Sequence, residues 1–267
     1  MRAMAVAPLG AALAAALHLL AAGPPGARTV LRVCADPNNL PYSNERGEGF
    51  ENKIAERLAH ALKADLQYTW WPQRRGFVRN TLARGACDVI IGVPAAADMV
   101  AHTRPYYRSS YVFVTPQGRP PIRSFDDPAL RRLRIGIPLV GDDGQNPPPE
   151  AALARRGIVN NVVGYAVYGN YAQPSPPLDL MRALARGDID VAAAWGPQAG
   201  YFAHANHLPL TLTPIAPDPG LTFTFEITVG VRRGAGDEAL RQQLDRALQE
   251  EGPAITRILA SYGVPRV

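Results

Sequence analysis

The sequence predicts an α/β protein of two lobes joined by a two-segment hinge, with a central cleft between them. Three observations predict it. Apolar strand-like runs alternate with stretches of helical spacing, the pattern of a parallel sheet covered by helices. The same plan, with the same punctuation, recurs about 100 residues later. Two connectors rich in proline and glycine lie beside the recurring units, so the chain crosses between them twice.

The elements follow in order. "MRAMAVAPLGAALAAALHLLAAGPPGA", residues 1–27, has one early arginine, an apolar Ala/Leu run and a small-residue end, which is the pattern of a secretory signal peptide. The run is short and is interrupted by His18, so a permanent anchor is disfavoured. The mature protein is expected in the periplasm, with no membrane span after cleavage. "TVLRVCA" then reads as a first strand, and "FENKIAERLAHALKADL" as a helix with Phe50, Ile54, Leu58, Ala61 and Leu62 on one face. "LQYTWW" is a second strand, "FVRNTLARG" a short helix stopped by Gly85, and "CDVIIGV" a third strand apolar enough to be covered on both faces.

In the second unit, "LRIGIPL" answers "LRVCADP", and "LDLMRALARGDIDVAAAWGP" answers "FVRNTLARGACDVIIGVP". Both of the longer stretches run from a helix through Ala-Arg-Gly to an Asp-Val that starts an apolar strand, then leave it at Gly-x-Pro. The strand-like "YYRSSYVFVTPQGRPP" and the stretch "PIAPDPGLTFTFEITVGVRRG" make the two crossings. Two closing helices, "DEALRQQLDRALQEE" and "PAITRILASYG", are expected to return to the first lobe. The expected division is 28–116 with 222–267 for the first lobe and 117–221 for the second. This layout is that of a periplasmic binding protein-like fold of type II.

Charge and cysteine content narrow the function. The net charge of +5 comes from scattered arginines, with lysine only at Lys53 and Lys63. A nucleic-acid binder usually clusters such residues on one element, so nucleic acid is not an expected partner. A mildly basic surface suits an acidic protein partner. Export allows Cys34 and Cys87 to form a disulfide, and two buried free thiols are the alternative; strand register decides, because bridged Cα atoms lie within about 7 Å.

Ligands of parallel α/β sheets bind beyond the carboxyl ends of the strands. That rule selects five loops and the candidate binding residues Asp36, Asn38, Asn39, Tyr42, Trp70, Trp71, Arg74, Arg75, Pro94, Asp142, Asp143 and Trp195. Each has a plainer role open to it. Asn38 and Asn39 suit turns, Asp142 and Asp143 suit a helix cap, and Trp195 suits a core. Adjacent strand residues point to opposite faces, so of Trp70 and Trp71 one should pack and the other face the cleft. Arg74 and Arg75 stand before a helix, where cations oppose its dipole, which favours an acidic ligand or partner contact. His204 and His207 have no third ligand, and no metal or cofactor is expected. Catalytic motifs such as G-x-S-x-G, H-E-x-x-H and C-x-x-C do not occur, so a binding protein is expected rather than an enzyme.

"LRVCADPNNLPYSNERGEGFENKIAERLA", "YTWWPQRRGFVRNTL" and "RPYYRSSYVFV" closely resemble the XoxJ/MxaJ family, and "IGIPLVGDDGQNPPPEAALARRGIVNNVVGYAVYG", "DVAAAWGPQAGYFA", "ITVGVRRG" and "ILASYGVP" carry the likeness through the second lobe to the end. The resemblance implies an extracellular solute-binding protein of the amino-acid-binding type. It also implies a partner, a periplasmic PQQ-dependent methanol dehydrogenase together with its c-type cytochrome, whose maturation or activation such proteins assist. The partner is of the lanthanide type for XoxJ and the calcium type for MxaJ; "NPPPEAALARRGI" and "WWPQRRGF" stand closer to XoxJ. The amino-acid binders of this fold hold the ligand carboxylate with an arginine about nine residues before a segment that here reads Thr103-Arg104-Pro105-Tyr106; counting back gives Ala96. They hold the ligand amine with an aspartate where this chain has Trp195-Gly196. Arg104 and Tyr106 remain candidates, but both zwitterion anchors are missing. Delivery of a small polar or aromatic solute to an ABC transporter is the alternative reading.

Overall fold

The structure is a computed structural model that describes residues 29–139, 147–166 and 172–267. The predicted signal segment lies outside them. In the first lobe the chain forms β1 (Thr29–Ala35), β2 (Asn38–Asn39), β3 (Ser43–Asn44), α1 (Phe50–Ala61), β4 (Ala64–Trp70), α2 (Phe77–Asn80), β5 (Val89–Pro94) and β6 (Ala101–His102). A long strand, β7 (Tyr107–Pro116), leads to β8 (Ile135–Leu139), α3 (Pro148–Arg155), β9 (Val162–Ala166), α4 (Asp179–Arg186), β10 (Val191–Trp195), α5 (Gly196–Ala205) and β11 (Leu210–Pro214). β12 (Thr224–Val231), α6 (Glu238–Glu250) and α7 (Gly252–Ser261) complete the chain. No helix of the described residues is long and apolar enough to cross a membrane.

Both lobes share one strand order. In the first it is β4-β1-β5-β12, with β1 parallel to β4 and β5 and β12 antiparallel to β5. In the second it is β9-β8-β10-β7, with β8 parallel to β9 and β10 and β7 antiparallel to β10. The hinge runs through β7. Tyr107 to Ser110 pair with β12, whereas Tyr111 onward pair with β10 and β11. The returning chain pairs there too, as the Tyr111 N–H donates to the Phe223 carbonyl. Helices α6 and α7 pack Leu244, Leu248, Ile255 and Leu259 into one core cluster with α1 and strands β1, β5 and β12.

The repeated Ala-Arg-Gly…Asp-Val signal has a structural cause. Gly85 and Gly187 both end a helical turn in the left-handed region, at φ 73° and 77°. Three residues on, Asp88 and Asp190 accept hydrogen bonds from the backbone N–H and the guanidinium of Arg32, which stands in β1, and of Arg134, which immediately precedes β8. Each guanidinium also donates to the carbonyl of the capping glycine. One fork-shaped clasp therefore locks strand one to strand three in each lobe.

Cys34 and Cys87 form a disulfide, with Cα atoms 5.5 Å apart. Cys34 lies in β1, but Cys87 precedes β5 rather than lying in it. "LQYTWW" likewise ends as a strand at Trp70: the Trp71 N–H still donates to the Ala35 carbonyl, but the next inward donor, the Gln73 N–H, goes to the Asp36 side chain instead of a ladder carbonyl. "FVRNTLARG" breaks into α2 and a short 3₁₀ turn at Thr81, whose N–H and hydroxyl both donate to the Phe77 carbonyl while its backbone leaves the helical region at φ −119° and ψ −86°.

Candidate functional site

The loop after β1 folds back onto the start of α1. Two orphan donors of the helix, the N–H groups of Phe50 and Glu51, bond to the carbonyls of Pro41 and Tyr42. Asn52 accepts from the N–H groups of Asn44 and Gly49 and closes the turn. Tyr42 and Glu51 are thereby fixed side by side. Asp36, almost fully buried, accepts from the N–H groups of Asn38 and Gln73, which ties this loop to the one after β4. The Asn39 side-chain amide then donates to the Gln73 side chain and holds it in place.

Together these residues line a cavity of about 400 Å³ between the lobes. The first lobe contributes Tyr42, Glu51, Gln73, Gly92 and Pro94, and the hinge strands contribute Tyr107, Tyr111, Phe225 and Ile227. The second lobe supplies Pro138, Pro147, Trp195 and Gln198. Trp195 packs on Tyr111 and Phe225 at ring-centroid distances of 5.2 and 5.7 Å, which makes one aromatic wall. Burial pushes the Tyr111 hydroxyl up to about 12, so it stays protonated and donates throughout the physiological range.

Glu51 is the chemical exception in this apolar setting. Gly92 sits at a bulge in the β5–β12 pairing with φ +83°, and a Cβ there would lie 1.8 Å from the Glu51 carboxyl oxygen. Only glycine leaves the carboxyl its room. No arginine or lysine of the described residues lines the cavity or pairs with it. Enclosure, reinforced by the neighbouring negative charge of Asp36, raises the Glu51 carboxyl well above the usual carboxylate range.

That environment fixes a pH dependence. The folded protein holds this proton more tightly than the unfolded chain, so the contribution to stability is full below the unfolded pKa and is lost as pH rises through the folded one. Glu51→Gln escapes that loss. In urea unfolding the variant should match the parent near about pH 4 and become progressively more stable than it as pH rises. A gap that does not widen with pH would refute this.

The other sequence candidates divide by position. Tyr42, Pro94 and Trp195 line the cavity. Asn38 lies outside it, in a separate groove with Gln173 and Ser175, and bridges the lobes there, its amide donating to the Gln173 carbonyl while its own oxygen accepts from the Ser175 N–H. Tyr106 is half-buried against the first-lobe core beside Tyr107. Trp70 is stacked on Tyr68 at 4.5 Å and packs on the lobe core, whereas Trp71 is 40% exposed. Arg74 and Arg75 are exposed, ahead of a helix of only four residues whose dipole is slight. Arg104 is exposed as well, its backbone N–H donating to Asp245 of α6. Asp142 and Asp143 lie outside the described residues. Glu51, Gln73, Tyr107, Tyr111, Gln198 and Phe225 were not singled out by the sequence.

Comparison with known proteins gives consistent results. A family model described as bacterial extracellular solute-binding protein matches residues 53–264. The MoxJ protein of Methylorubrum extorquens is 31% identical over 250 residues, which is 88% of this chain and 81% of that protein. The crystal structure of the periplasmic binding protein XoxJ from Methylobacterium extorquens matches with a TM-score of 0.74 at 36% identity, over 89% of this chain and 99% of that one. The crystal structure of MxaJ from Methylophaga aminisulfidivorans also gives 0.74, at 27% identity, over 89% and 100% of the respective chains.

Proposed function

This chain belongs to the bacterial extracellular solute-binding proteins and, among them, to the XoxJ/MxaJ family, and on that premise we propose that it is a non-enzymatic periplasmic protein assisting maturation or activation of a PQQ-dependent methanol dehydrogenase. The dehydrogenase is of the lanthanide type, and its c-type cytochrome belongs to the same system. One observation carries the choice of this role over solute transport. At the exit of β10, where an amino-acid receptor of this fold needs a carboxylate, stands the indole of Trp195, and no arginine lines the cavity among the described residues. An amino acid's carboxylate would enter that space without a counter-charge, at a cost that a transport receptor avoids.

The contact with the dehydrogenase is assigned to Trp71, Arg74 and Arg75. They follow β4, the edge strand of the first lobe, and an exposed tryptophan beside exposed arginines has the composition of an interface hot spot. Deleting the gene should lower dehydrogenase activity without removing the dehydrogenase polypeptide. The purified apo-dehydrogenase should bind this protein, and the double change Arg74→Ala with Arg75→Ala should weaken that binding most at low salt. Normal dehydrogenase activity in the deletion strain would overturn the proposal. Loss of uptake of a solute in that strain would mark a transport receptor instead.

A further inference from the structure

We propose that the cavity between the lobes is a binding site for a small organic ammonium ion, seated with its charge on Glu51 and its carbon groups against Tyr42, Tyr111, Trp195 and Phe225. The inference concerns what the cavity holds, and it stands whether or not the dehydrogenase is the partner.

The argument begins with an imbalance. A carboxyl group taken from water is costly unless a cation or several donors meet it. Glu51 lines the cavity with no hydrogen bond from a side chain and no ion pair among the described residues. The surrounding fold makes room for the carboxyl but does not neutralise it. Gly92 yields the space its own side chain would fill, and Asp36 adds negative charge nearby. Elsewhere the chain pairs its acids readily, as Asp88, Asp126, Asp190, Asp218 and Glu251 each have an arginine. Leaving one acid unpaired inside the cleft, in an arginine-rich protein, fits a partner that arrives from outside.

The walls specify the class of that partner. Aromatic faces attract cations through their ring quadrupole, and the attraction strengthens when water is excluded. Tyr111, Trp195 and Phe225 form a continuous aromatic wall, with Tyr42 lining the same cavity. Gln73 and Gln198 add polar groups that can orient a substituent. An anion would face Glu51, and no arginine or lysine of the described residues lines the cavity to offset the repulsion. A neutral apolar molecule would satisfy the walls but leave the carboxyl unpaired. An ammonium ion satisfies both, and a cavity of about 400 Å³ holds one bearing a ring or several methyl groups.

Three probes of one size separate these cases: phenylethylammonium, 2-phenylethanol and phenylacetate, each titrated into the full mature protein by thermal shift and calorimetry. Tetramethylammonium serves as a second cation. The ammonium probes should raise the melting temperature, phenylethanol should do so weakly, and phenylacetate should not. Glu51→Gln, which keeps the shape and removes the charge, should weaken phenylethylammonium about tenfold or more and leave phenylethanol unchanged. Trp195→Leu removes the wall without touching the charge, and it should weaken both cations. The proposal is overturned if neither cation binds at millimolar concentration, if phenylacetate binds as well as the ammonium, or if Glu51→Gln binds phenylethylammonium as the parent does. It is also overturned if Trp195→Leu leaves both cations unaffected, which keeps a test in hand should the glutamine variant not fold.

Discussion

Phe50→Ala is expected to cost about 4 kcal/mol in denaturant unfolding, since truncating a fully buried phenylalanine loses both its transfer energy and the contacts around the void. Phe50 has no solvent exposure and lies between three rings, with centroid distances of 5.4 Å to Tyr42, 6.3 Å to Tyr107 and 5.9 Å to Tyr262. It therefore joins α1, the cavity wall, the first strand of the hinge and the C-terminal helix. Removing it should loosen the cavity as well as the core, because Tyr42 and Tyr107 both line that cavity. Phe50→Leu keeps most of the volume and should cost about 1 kcal/mol. If Phe50→Ala falls below about 2 kcal/mol, the site collapses around the gap and the ring is not the support inferred here.

Much of this architecture is legible because the chain repeats its own punctuation. The Ala-Arg-Gly stops and the Asp-Val strand starts predicted two equivalent units, and the strand order agrees in both lobes. The reason was hidden. Arg32 and Arg134 sit 56 residues from their aspartates, and only the parallel pairing brings them within hydrogen-bond distance, at 2.6 to 3.1 Å. The cleft was half legible for a similar reason. The strand-exit rule reaches Tyr42, Pro94 and Trp195, since their loops follow directly from strands. It does not reach Tyr107, Tyr111 and Phe225, which enter the cavity because β7 and β12 cross between the lobes. Glu51 was overlooked because an acid in the first turn of a helix already has an ordinary explanation in the helix dipole. Its second role appears only once Gly92 is seen to give way to it.

The second large effect concerns Cys34 and Cys87, and the repeat supplies its control. In the alignment set by the two arginine clasps, Cys34 corresponds to Gly136 and Cys87 to Ile189. The second lobe fills the same space without a bond, as a Cβ on Gly136 would lie 2.3 Å from the Ile189 side chain. Replacing both cysteines by alanine therefore removes two things: a cross-link between residues 53 apart and the packing of two buried sulfurs. In the chain-entropy account the cross-link alone is worth about 4 kcal/mol at this loop length. The pair Cys34→Gly with Cys87→Ile transplants the second lobe's solution and restores packing against Phe77, Leu82 and Ile90 without the cross-link. Unfolding midpoints should fall in the order parent, Gly/Ile pair, Ala/Ala pair, with the first gap larger than the second. Reducing the parent should bring it toward the variants, as expected for a bridge made in an oxidising compartment. A Gly/Ile variant as stable as the parent would mean that the bridge contributes packing alone, and that the two lobes are held by the same means after all.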